Sequence, residues 1–63
     1  MEPHQERVVT EKEELDVKID KLDIFRAGEI FPTLPEAEQD RLNMQLSHMR
    51  AYSGVLADRI TAF

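Results

Sequence analysis

From Thr33 to Phe63 the apolar positions recur every three or four residues, the period of an α-helix. At about 100° per residue, Leu42, Leu46, Met49, Leu56, Ile60 and Phe63 project onto one side, with Tyr52 at its margin. Met44, His48, Ala51, Val55 and Ala62 form a second, weaker stripe on the far side. A helix apolar on one face needs one neighbour, and a helix apolar on two needs a neighbour on each side. The small and flexible residues of the second stripe suit the close approach of another helix, although Ala and Met are also good helix formers in their own right. The pattern predicts one long helix over about 34–63. Thr33 and Glu36 carry the S/T-x-x-E spacing of a capping box at its start. Pro35 suits the first turn, and Glu36, Glu38 and Asp40 complement the positive end of the dipole.

The first half predicts a second helix over about 3–27. Pro3 suits its first turn, after Glu2. Val8, Leu15, Ile19 and Leu22 share one stripe, with Phe25 at its edge, and this is the face expected against Leu42, Leu46, Met49, Leu56 and Ile60. Val9, Val17 and Ile24 lie elsewhere on the circumference, so this helix too has apolar residues to spare. The run Glu11, Glu13, Glu14, Asp16 reads as a solvated face, and Glu14–Lys18 has the spacing of a favourable ion pair. Arg26 in the last turn suits the dipole, and Gly28 is expected to close the helix in the left-handed conformation. The connection, residues 28–33, is short, so the helices return antiparallel as a hairpin. Ile30 and Phe31 are expected to cover the open end of the hairpin, with Phe31 held extended by Pro32.

Length turns this hairpin into a problem. A chain of 63 residues makes one domain, 1–63, that buries little of its surface, and such chains rely on disulfides, a metal or self-association. Cysteine is absent, and the two histidines, His4 and His48, lie in different helices without ligand spacing. The expected fold class is therefore all-α: an antiparallel two-helix hairpin assembling into a homo-oligomeric helical bundle. Val17, Ile24, Met44, His48, Ala51 and Val55 are the expected interface.

The net charge of −5 argues against binding duplex DNA or an anionic membrane. The sequence shows no leader and no run long enough to cross a membrane, which points to a cytoplasmic protein. No phosphate loop, catalytic set, metal site or cofactor motif is present, so no catalytic residues are assigned and an enzyme is not expected. Basic residues can still converge where copies meet. Arg26 extends the packed stripe of the first helix, and Arg59 lies beside Leu56 and Ile60, within a turn of Phe63. Forked donors and flat rings together suit a nucleotide, phosphate on the Arg and base on Tyr52 or Phe63. For each Arg the plainer reading is a surface cation or a dipole partner.

Two segments carry a family resemblance: PHQERVVTEKEELDVKIDKLDIF and LPEAEQDRLNMQLSHMRAYSGVLADRITAF. Their pattern, R-V-V-x-E-K-x-x-L-D-x-K-I-x-K-L-x-x-F, then L-x-x-x-E-x-x-R-L-x-x-Q-x-x-x-M-x-x-Y and L-x-x-R-I-x-x-F, covers nearly the whole chain. It resembles a family of small phage proteins, first grouped with a crAss-like phage protein, that includes the anti-CBASS cyclic-oligonucleotide sponge. The resemblance implies a homohexamer of helical hairpins that sequesters cyclic di- or trinucleotide messengers without cleaving them, inside the infected bacterial cell. It implies one pocket between paired protomers, built from Lys and aromatic contacts, and another where three protomers meet, built from Arg and hydroxyl contacts. Lys21, in K-L-x-x-F, is the candidate for the first pocket and Arg59, in R-I-x-x-F, for the second, with Arg7, Arg26 and Tyr52 as further candidates. The chain departs from characterised sponges in having no tyrosine in its first helix. The competing reading is a structural or adaptor module that binds itself or another protein.

Overall fold

The computed structural model describes residues 1–63 and is all-helical, two long helices in a hairpin. Helix α1 runs Pro3–Ala27 and α2 runs Glu36–Thr61. A single 3-10 turn, Phe31–Thr33, sits in the connection. Three cross-helix side-chain bonds show the antiparallel course, because the position on α1 falls as that on α2 rises: Arg26 to Asn43, Asp23 to Arg50, Asp16 to Ser53. The hairpin measures 46 × 15 × 13 Å, one helix pair thick.

The core is the seam between the two apolar stripes. Val8, Leu15 and Ile19 of α1 and Leu46 and Leu56 of α2 are buried, with Leu22, Met49 and Ile60 packed against them. These five are the only buried residues of the 63. Each buried aliphatic side chain contributes about 1.5–3 kcal/mol, while ordering each residue's backbone costs about 1–2 kcal/mol. So thin a seam leaves the hairpin marginal as a single copy. Apolar side chains remain outside it, with Val17, Ile24, Met44 and Val55 each more than half exposed.

The ends of the helices differ from the expected ones. The Thr33–Glu36 capping box does not form. The Thr33 hydroxyl donates instead to the Ile30 carbonyl inside the 3-10 turn, so it is not free to cap α2. Helix α2 starts later, at Glu36, with the Pro35 carbonyl accepting from the N–H groups of Glu38 and Gln39. Gln39 Nε2 reaches back to the Leu34 carbonyl at 2.9 Å and holds the loop in place. Side-chain closure of that kind occurs at α1, where Gln5 accepts the Glu2 N–H at 2.9 Å. Phe31 is not held extended: it opens the 3-10 turn, whose start suits the fixed φ and missing N–H of Pro32. Phe31 packs edge-on to Phe25 at 6.3 Å and covers this end of the seam, whereas Ile30 stays exposed.

Gly28 is not left-handed either. Its φ of −87° and ψ of −177° are extended, and its N–H closes α1 on the Phe25 carbonyl at 3.1 Å. The chain needs extended backbone here to run into the 3-10 turn, so the left-handed cap has no role. A Cβ at this position would lie 3.4 Å from that carbonyl. Gly28→Ala is therefore expected to leave stability unchanged or raise it by up to about 1 kcal/mol, through the stiffer unfolded chain. A urea titration that shows a loss larger than that would point to a positive φ in solution.

Candidate functional site

Four of the eight basic residues are held within the chain. Lys12 bonds Asp16 at 2.7 Å, Arg41 bonds Glu38 at 3.0 Å, Arg50 bonds Asp23 at 2.7 Å, and Arg26 lies 3.6 Å from Asp23. Arg7, Lys18, Lys21 and Arg59 are left with no carboxylate partner. The Glu14–Lys18 pair expected from spacing does not form, and the ion pairs within this helix join Lys12 to Asp16 and Arg26 to Asp23 instead.

Arg26 points toward α2, as its place on the stripe suggests, but it is engaged there. Its Nε donates to Asn43 Oδ1 at 2.7 Å, and its guanidinium lies 5.9 Å from the Phe31 ring centroid. It ties the loop end of the hairpin together. Arg7 lines the one depression on the surface, a shallow concavity along α1 that also contains Pro3, Glu6, Thr10, Glu11 and Glu14. Three carboxylates around one guanidinium make that concavity a poor seat for an anion.

Lys21 and Arg59 are both exposed, and a single copy does not bring them together. Lys21 lies on the outer side of α1, one turn from Val17 and from Ile24. Arg59 lies on a flank of α2, with Tyr52 two turns before it and Phe63 one turn after, both half-exposed. The antiparallel register sets the two cations roughly 15 Å apart along the axis, at about 1.5 Å per residue. Each stands beside exposed apolar or aromatic surface, so each could join a pocket only when another surface covers it. Val17, Ile24, Met44, His48, Ala51 and Val55 are all exposed, four along the middle of α2 and two on the outside of α1.

A polar clasp along one edge went unforeseen. Asp16 is not part of a solvated acidic face, because it bridges the helices. Its Oδ2 accepts from Lys12 at 2.7 Å and its Oδ1 accepts from Ser53 at 2.6 Å. Two turns on, both carboxylate oxygens of Asp23 accept from Arg50 Nη2, at 2.8 and 2.7 Å. The seven-residue spacings of Asp16 and Asp23 and of Asn43 and Arg50 are the signal that places all four on one edge.

The hydrogen bonds from Lys12 and Ser53 outweigh desolvation and hold the Asp16 carboxyl below its ordinary value. A carboxyl depressed in the folded chain stabilises it above the unfolded pKa and loses that contribution as pH falls through the folded one. The thermal midpoint of the wild type is thus expected to exceed that of Asp16→Asn near neutral pH. The gap should begin to narrow as pH falls below about 4, the unfolded value, and close only below the lower folded one. A gap unchanged from pH 6 to pH 2 would show that the carboxylate charge plays no part.

No helix is long and apolar enough to cross a membrane, and no group of three or more His, Asp or Glu side chains gathers as a metal site would require. Among known proteins, the model of one family, described as Sequestin, matches residues 2–62. No curated protein matches the chain, and no solved structure does.

Proposed function

We propose a function that starts from one fact: the chain belongs to the Sequestin family. In this reading it is a homo-oligomeric sponge, with a hexamer favoured, that binds cyclic di- or trinucleotides and keeps them intact. It works in the cytoplasm of an infected bacterium, withholds the messenger from the host effector and so blocks CBASS signalling. It performs no catalysis. The observation that carries the reading is the family match along almost the full chain, since the family's name is compatible with sequestration.

The geometry supports it in two ways. Lys21 and Arg59 are uncommitted cations, each beside exposed apolar or aromatic side chains that copies of the chain would cover on assembly. A hairpin one helix pair thick has no interior for a ligand, so the pocket belongs to the joins between copies. There the guanidinium and ammonium groups meet phosphate, and Tyr52 or Phe63 offers a ring to a base.

Isothermal titration against a panel of cyclic di- and trinucleotides tests the proposal, with the ligand recovered afterwards and checked for integrity. Binding with intact recovery is the expected result. No heat with any member of the panel would end the sponge reading, and degraded ligand would make the protein an enzyme. The acidic balance of the chain, −5 overall, favours the second reading, a structural or adaptor module whose spare faces bind itself or another protein.

A further inference from the structure

The outer face of α2 is complementary to itself. Met44, His48, Ala51 and Val55 follow one another at alternating spacings of four and three, and Arg41 and Asp58 continue the same seam at either end. All six are exposed, and Met44 and Val55 are 60% and 56% exposed. The alternation is that of two helices packed side by side in a supercoil. In an antiparallel pair of identical seams each residue meets one a fixed number of places away in the other copy. One register fills every layer of this face.

We propose that a second copy of the chain packs its α2 antiparallel on this face about a two-fold axis. Met44 of one copy lies against Val55 of the other, His48 against Ala51, and Arg41 against Asp58, each layer occurring twice. Every layer then joins a larger side chain to a smaller one, or opposite charges. A slip of one heptad in either direction separates Arg41 from Asp58, so the charges fix the register.

Both charges are available. Arg41 gives only its Nε to Glu38, and its terminal amino groups have no partner in the chain. Asp58 makes no ion pair. The outer face of α1 is less complementary to itself: the equivalent pairing would set Val17 against Asp20 and Ile24 against Glu13, with Lys21 beside them but outside these layers. The charges at the two ends of the α2 face match each other across a two-fold, which fits a second α2 as its occupant.

The proposal rests on the self-association in the reading above and is independent of any nucleotide. Arg41→Asp and Asp58→Arg are prepared separately, checked for wild-type helicity by circular dichroism, and studied without ligand by sedimentation equilibrium. Each variant alone sets like charges in two layers of the pair and is expected to associate at least about tenfold more weakly than the wild type. An equimolar mixture of the two restores opposite charges in both layers and is expected to associate as the wild type does. Either variant associating alone as tightly as the wild type, or a mixture no tighter than its components, would overturn the pairing. Nucleotide titration of the wild type reads the sponge separately, so a failure of one leaves the other standing.

Discussion

Leu56→Ala is expected to destabilise the hairpin by about 2–5 kcal/mol, the cost of deleting buried methyl groups and leaving a cavity. Leu56 is 0% exposed and Leu46 1%, and they are the two fully buried side chains of the molecule. They lie ten residues apart on α2, with α1's Leu15 and Ile19 buried between the same helices. Five buried residues leave little to collapse into the space, so the cost should fall high in that range. A small domain is stable by no more than several kcal/mol, and the same loss here should remove most helical signal at ambient temperature. Circular dichroism at 222 nm across a urea series measures it. Leu46→Ala should behave alike, whereas Ile24→Ala, at a site 73% exposed, should leave the isolated hairpin nearly unchanged. A cost below about 1 kcal/mol for Leu56→Ala would mean that the seam is not what holds the helices together.

That seam was the legible part of the sequence. Val8, Leu15, Ile19 and Leu22 on one side and Leu46, Met49, Leu56 and Ile60 on the other are set by periodicity, and periodicity survives into the folded chain because burial depends on it. The cross-helix clasp was harder to see. Which carboxylate faces which cation depends on how far one helix slides along the other, and the short connection decides that. Asp16 among glutamates looks solvated until Ser53 is placed opposite it. The same dependence on register hid the ties of Arg26 to Asn43 and Phe31. At the loop, Gly28 and Thr33 misled because their types are shared by several local structures, and the 3-10 turn selected the less common ones.

Arg59→Ala is expected to weaken binding of a cyclic nucleotide by about 10- to 100-fold, the worth of one charge-assisted hydrogen bond to phosphate. Lys21→Ala should do the same for ligands of the other pocket type, so the two losses should fall on different members of the panel. Neither side chain holds a partner within the chain, which separates ligand binding from stability. Both variants should keep the wild-type sedimentation profile and melting temperature. Titration calorimetry beside sedimentation reads the two effects independently. A variant that loses assembly as well as binding would make its residue a structural one. Full affinity in both variants would rule out Lys21 and Arg59 as the phosphate contacts.

The cross-helix ties from Asp16, Asp23 and Arg26 all run along the same long side of the hairpin, and none crosses the other side. Such a pair of helices is bound as a book is, with a spine and a fore-edge. Twisting or spreading at the fore-edge breaks no polar bond and only slides aliphatic surface, while the same motion at the spine ruptures charged ones. Amide protons of α2 that face the fore-edge should accordingly exchange with solvent sooner than those along the spine at equal depth, giving the molecule a built-in direction of give.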